Sequence, residues 1–174
     1  GDTLTLKDRV MHHFTTGIST VEIASLNASK LVKEFRVYFN NTINNPAGEF
    51  KSWLVKYDGT DRLARLKLLL DRNEVNWSFA NAGNMNGLNY FSGKQEAFKA
   101  ETNDIVINLN QSKGNFIKVL FERNSRLSDS ATYDITAWSI PFAYGLKTFG
   151  MANFTPVGSK SGPASAVAEI TDSA

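Results

Sequence analysis

The sequence predicts an α/β domain: a three-layer-like arrangement with a small, mostly parallel sheet, a βαβ unit and a long N-terminal amphipathic helix. Three observations carry that expectation. Apolar residues between Ile18 and Ile43 recur at helical spacing, residues 50–80 read strand, amphipathic helix, strand, and Ile105-Val106-Ile107-Asn108-Leu109 is a β-branched run suited to a buried strand. A strand–helix–strand unit in so short a stretch implies a right-handed crossover and a parallel pair.

Taken in order, residues 1–13 are polar, with Leu4, Leu6, Val10 and Met11 as anchors. Residues 15–44 place Ile18, Val21, Ser25, Ala28, Leu31 or Val32, Phe35, Phe39 and Ile43 on one side, which predicts a single long helix bent near 27–29. Asn44, Asn45 and Pro46 end it. Residues 50–57 form a first strand with Trp53, Val55 and Tyr57 on one face. Asp58-Gly59 turns the chain, and Thr60 caps a helix over 61–73 whose buried stripe is Leu63, Leu66, Leu69 and Leu70. Val75 to Ala80 resumes as strand. The Asn- and Gly-rich stretch 81–90 reads as a loop, and 95–99 as a short strand or hairpin leading into 105–109. A helix over 115–123 follows behind Ser112 as N-cap, and Asp134 or Thr132 caps a last helix that runs to Phe149 through an interruption at Pro141. The expected organisation is one α/β domain over 1–155 and an extended arm or linker over 156–174, where Ala, Ser, Gly and Pro dominate.

Composition excludes several classes of function. A formal net charge of +2, with Lys and Arg interspersed among Asp and Glu, provides no basic stripe for nucleic acid. The absence of cysteine removes disulfides, thiol catalysis and thiolate metal sites, and leaves the redox compartment open. No apolar run reaches the ~18 residues that a membrane-spanning helix needs. The start at Gly1-Asp2 is read as that of a processed piece of a longer chain.

Two stretches carry a resemblance. Asn110-Gln111-Ser112-Lys113-Gly114 and Lys118-Val119-Leu120-Phe121-Glu122, followed by Asp129-Ser130-Ala131-Thr132-Tyr133-Asp134-Ile135-Thr136-Ala137-Trp138, resemble the region after the catalytic domain in large secreted M14-type zinc carboxypeptidases of Bacteroidetes. Ser112 stands where that family often has Pro. The resemblance is specific over about a quarter of the chain and looser from Phe14 to Ala82. It implies a non-catalytic accessory domain, periplasmic or secreted, whose partner is the catalytic domain of the same parent polypeptide. Zinc is then expected only in that missing catalytic domain, with no cofactor in this chain.

The residues agree with a non-catalytic role. A zinc carboxypeptidase needs a close His and Glu, a remote His and a catalytic Glu, whereas the only imidazoles here are the adjacent His12 and His13. No nucleophile elbow is present either. Asp129, Tyr133, Asp134, Thr136 and Trp138 form the most conspicuous polar–aromatic cluster. It reads as a helix cap at Asp134 packed with aromatics, or as a peptide or carbohydrate pocket, because Trp and Tyr offer stacking surface and carboxylates accept hydrogen bonds. On the second reading the chain is a free-standing ligand-binding module that uses residues 81–98, Tyr90 included, with the Tyr133/Trp138 region. Arg62, Arg65, Lys67 and Arg72 read as a solvated helix face.

Overall fold

The computed structural model describes residues 3–124 and 139–160. The chain divides into two compact units, residues 1–40 and 41–174. In the first, helix α1 spans Leu6–Leu26 and begins well before the predicted start. Its N-terminus is fixed by a capping box in which Thr5 Oγ1 accepts from Asp8 N–H while the Asp8 carboxylate accepts from Thr5 N–H. The Thr5 hydroxyl also donates to the Asp8 carboxylate at 2.6 Å, and this bond first, with that from Thr5 N–H second, holds the Asp8 carboxyl below its ordinary range. The helix breaks at Asn27, which has φ −106° and ψ 13° and whose side-chain amide donates to the Ile23 carbonyl at 2.8 Å. Helix α2, Ala28–Asn44, continues beyond it and ends in the second unit, where Thr42 is buried. The bend predicted at 27–29 is thus a single-residue break.

The second unit is built on a seven-stranded sheet in which every pair is antiparallel, curled into a half-barrel. Its strands are β1 (Ser52–Val55), β2 (Ser78–Ala80), β3 (Gly83–Asn89), β4 (Gln95–Ala100), β5 (Ile105–Asn108), β6 (Thr148–Met151) and β7 (Val157–Lys160). They lie in the order β4-β3-β6-β1-β5-β2-β7. The expected parallel sheet with a βαβ pair is therefore incorrect. Helix α3, Asp61–Arg72, does carry the chain from β1 to a strand of the same sheet and direction, but β5 lies between them and pairs antiparallel with both. The unit is a crossover with its gap filled. Residues buried on both faces of a strand usually mark a parallel sheet. Here the strands at the centre are buried on both faces although their neighbours run antiparallel.

Other elements also differ from expectation. The presumed loop 81–90 is mostly strand β3, paired with β4 from Gly83↔Ala100 to Leu88↔Gln95 and joined to it by a tight turn at Gly93, φ +68°. The last helix does not reach Phe149: α5 covers only Ile140–Tyr144, Gly145 at φ +62° ends it, and Thr148–Met151 is strand β6 beside β1. Pro141 does not interrupt α5, because it sits in the first turn, where no amide hydrogen is needed. Helix α4 is Gly114–Leu120, with Lys113 and not Ser112 as its N-cap residue and no side-chain cap bond. Val157–Lys160 is the edge strand β7, paired with β2.

The core lies on both faces of this sheet. On one, Trp53, Val55, Ile105 and Ile107 meet Leu63, Leu66 and Leu70 of α3 and Ile117 of α4. The second face gathers Leu54, Val106, Phe149 and Met151, with Phe98 of β4 stacked on Phe149 at 3.7 Å between ring centroids. Thr60 caps α3 as predicted, its hydroxyl accepting from Arg62 N–H. At the mouth of β5 the carboxylate of Asp104, completely buried, accepts from Lys56 Nζ at 2.6 Å and from the backbone N–H groups of Tyr57 and Glu101 at 2.8 Å each. Lys56 Nζ also donates to the Lys99 carbonyl. One side chain therefore ties the ends of β1, β4 and β5. Asp104→Ala would leave a half-buried ammonium and two amides without their acceptor, and we expect a loss of about 3–5 kcal/mol. Urea denaturation checks this; an unchanged midpoint would contradict it.

Candidate functional site

The second unit has a cleft of about 580 Å³, within the ~300–1,000 Å³ range of small-ligand sites. Phe50 just before β1, Trp53 of β1, Leu88 of β3, Lys118 of α4 and Phe121 directly after it line it. Gly48, Glu49, Glu122, Arg123 and Asn124 complete its described lining. Phe50 can lie across the sheet because β6 has glycine at position 150; a Cβ there would sit 2.8 Å from the Phe50 ring.

The floor of this cleft is locked from beneath. Trp53 Nε1–H donates to the Tyr90 hydroxyl, which in turn donates to the Phe121 carbonyl at 2.6 Å. All three residues are buried. Desolvation is the leading reason that the Tyr90 phenol is pushed up to about 12, against a smaller opposing contribution from the Trp53 hydrogen bond. Arg123 is committed as well: its Nε donates to the Tyr90 carbonyl at 3.0 Å and its guanidinium lies over Gly93 so closely that a Cβ there would be 2.7 Å from Nη2. The cleft thus has an aromatic base and two cations and two carboxylates at its edge, and its described lining contains no imidazole, thiol or hydroxyl. That chemistry accommodates a side chain or a peptide-like segment and provides no nucleophile–base pair.

The residues singled out by sequence fall as follows. Tyr90 is internal, with its hydroxyl used twice, so its ring and hydroxyl support the fold and present nothing to a ligand. Thr60 is a cap. Asp129, Tyr133, Asp134, Thr136 and Trp138 lie outside the described residues, and so does the cap assigned to Asp134. Arg62 does more than solvate a helix face: it ion-pairs with Asp58 and donates from Nη1 to the Gly145 carbonyl at 3.2 Å, linking the start of α3 to the end of α5. Asp104, Lys56 and Arg123 went unnoticed in the sequence. Only Asp104 had a visible signal, an acid placed directly before a β-branched run. Among the described residues no group of three His, Asp or Glu side chains is placed to hold a metal ion, and no helix is long and apolar enough to cross a membrane.

No protein-family model, no curated protein and no solved structure matches the chain.

The phenol of Tyr90 gives a pH signature. Its proton is held more tightly in the folded state than at the ordinary tyrosine value of about 10. The folded protein therefore binds more proton than the unfolded chain between about pH 10 and 12, and its stability falls as pH rises through that window. Tyr90→Phe should flatten this part of the profile. It should also cost about 1–3 kcal/mol at neutral pH by leaving the Trp53 N–H and Phe121 carbonyl without a partner. Equilibrium unfolding at a series of pH values measures both; parallel profiles for the two proteins would refute the assignment.

Proposed function

We propose that this chain is a non-catalytic accessory domain of an M14-like zinc metallocarboxypeptidase, periplasmic or secreted, and that it works by protein–protein contact. The observation that carries the contact role is helix α1: none of its residues is buried, and Val10, Met11, Phe14, Ile18 and Val21 are all more than half exposed. An apolar face of that length in water marks an interaction surface. The assignment to a peptidase parent rests on the residue runs 110–114, 118–122 and 129–138 described above. On this reading the domain packs beside the catalytic domain of the same polypeptide, or spaces it from a following domain, and zinc belongs to the catalytic domain. The charge pattern supports no nucleic-acid partner.

A second reading has a specific observation in its favour, the 580 Å³ cleft floored by Phe50 and Trp53. There the chain would bind a peptide or carbohydrate on its own, at a cleft linked to the β3–β4 hairpin through Leu88 and Arg123. The two readings separate in one experiment. Mixed with the catalytic domain of its parent polypeptide, the chain should form a complex. Alone it should release no C-terminal residues from peptides and should retain no stoichiometric zinc after dialysis. Peptidase turnover or one tightly held zinc per chain would overturn the accessory-domain proposal, whereas ligand binding at the cleft with no affinity for the catalytic domain would establish the second reading.

A further inference from the structure

Helix α1–α2 carries a seven-residue repeat in addition to its apolar stripe. Apolar or small side chains stand at positions 11, 14, 18, 21, 25, 28, 32 and 35, in alternating steps of three and four. That spacing keeps one seam turned toward a partner helix. The seam has no cover in the described chain: Met11, Phe14, Ile18, Val21, Val32 and Phe35 are 52–68% exposed.

The seam is complementary to itself when two copies run antiparallel about a two-fold axis near Ile23. Met11 of one copy then faces Phe35 of the other, Phe14 faces Val32, Ile18 faces Ala28 and Val21 faces Ser25. Bulk is greatest at the two ends and least at the centre, where Ala24 meets its own counterpart, so the helices can approach closely there. Charge selects the same register. Asp8 flanks the seam opposite Arg36 of the second copy, and the symmetry makes this pair twice. A parallel arrangement would set Val10, Gly17, Ala24 and Leu31 against those flanking positions and form no opposite-charge pair. The one electrostatic cost of the antiparallel register is Glu22, which meets Glu22 of the second copy across the axis. The break at Asn27 lies in the central crossing, so each outer block joins an unbroken stretch of α1 to an unbroken stretch of α2.

We infer that the occupant of this surface is a second copy of the chain, held as an antiparallel two-fold pair through α1–α2. The pairing rests on the reading of that helix as a contact surface and gives the domain the task of joining two parent polypeptides.

Sedimentation velocity on the whole chain at tens of micromolar should show a dimer that Phe35→Glu converts to monomer. Arg36→Asp leaves the Thr5–Asp8 capping box intact and should weaken the dimer about tenfold, because two attractive exposed pairs become repulsive. Glu22→Gln alone, which removes the like-charge contact and leaves Asp8 in its cap, should tighten it. The chain has no cysteine, so Ala24→Cys should oxidise to a covalent dimer while Lys30→Cys, on the outer face, should not. A monomer at every concentration, or a dimer indifferent to Phe35→Glu and to Arg36→Asp, overturns the pairing. A monomer that still binds the parent's catalytic domain through α1–α2 would overturn the pairing and leave the accessory-domain reading standing. A dimer with the stated charge response and no affinity for that domain would do the reverse.

Discussion

The second unit depends on the seating of one short strand. Ile105–Asn108 enters the slot between β1 and β2, pairing with both, and so converts a two-strand crossover into the middle of a continuous sheet. Its three leading residues are almost wholly excluded from solvent, which places apolar surface in both core layers at once. Directly before it, Asp104 supplies the acceptor that the end of β1 and the exit from β4 both require. A charge can be buried there because every one of its partners is a fixed donor: an ammonium that reaches in from β1 and two backbone amides. Hydrophobic burial and a satisfied polar clip therefore act at the same point of the chain.

The two units use their apolar residues differently. In the sheet unit Leu, Ile, Val and aromatic side chains close on one another across two faces. In residues 1–40 side chains of the same kinds stand in water along a capped helix that its own contacts do not cover. A helix without tertiary packing gains little from intrinsic propensity, and α1 includes Gly17 and several Thr and Ser residues that lower it further. Such a helix gains stability from covering its apolar side chains, which is the physical argument behind the proposed contact.

Local signals in the sequence were accurate where the interaction that shapes an element is itself local. Thr60 and Asp61 marked the start of α3, the leucine spacing marked its buried face, and the β-branched run 105–109 marked β5. Strand direction and order were not legible, because they are set by partners far away in the chain. A run buried on both faces has one appearance whether its neighbours are parallel or antiparallel. Gly83 to Asn89 looked like a loop because glycine and asparagine disfavour strands in isolation. The glycine at 87 suits the close approach of β6, because an added Cβ would stand 3.1 Å from the Gly150 carbonyl and its neighbours would have to give. In the cleft, Trp53 and Tyr90 were each visible as aromatics, but their mutual hydrogen bond, spanning 37 positions, was not. Arg123 was invisible as a clasp because its partner is a backbone carbonyl, which has no sequence signature.

The placement of β1 governs how this unit can form. Ser52 pairs with Asn108 on one side and with Met151 on the other, so neither flank of the central strand is supplied by neighbouring sequence. Closing such loops costs chain entropy before any pairing energy returns, and folding slows as contacts become more distant in sequence. The β3–β4 hairpin can assemble early, since its strands are joined by a short turn. The central strands must wait for β6, and during synthesis on a ribosome the first strand will have emerged roughly a hundred residues before its last neighbour. Over that interval Trp53, Leu54 and Val55 are exposed strand residues without a sheet, the state most vulnerable to pairing with the wrong chain.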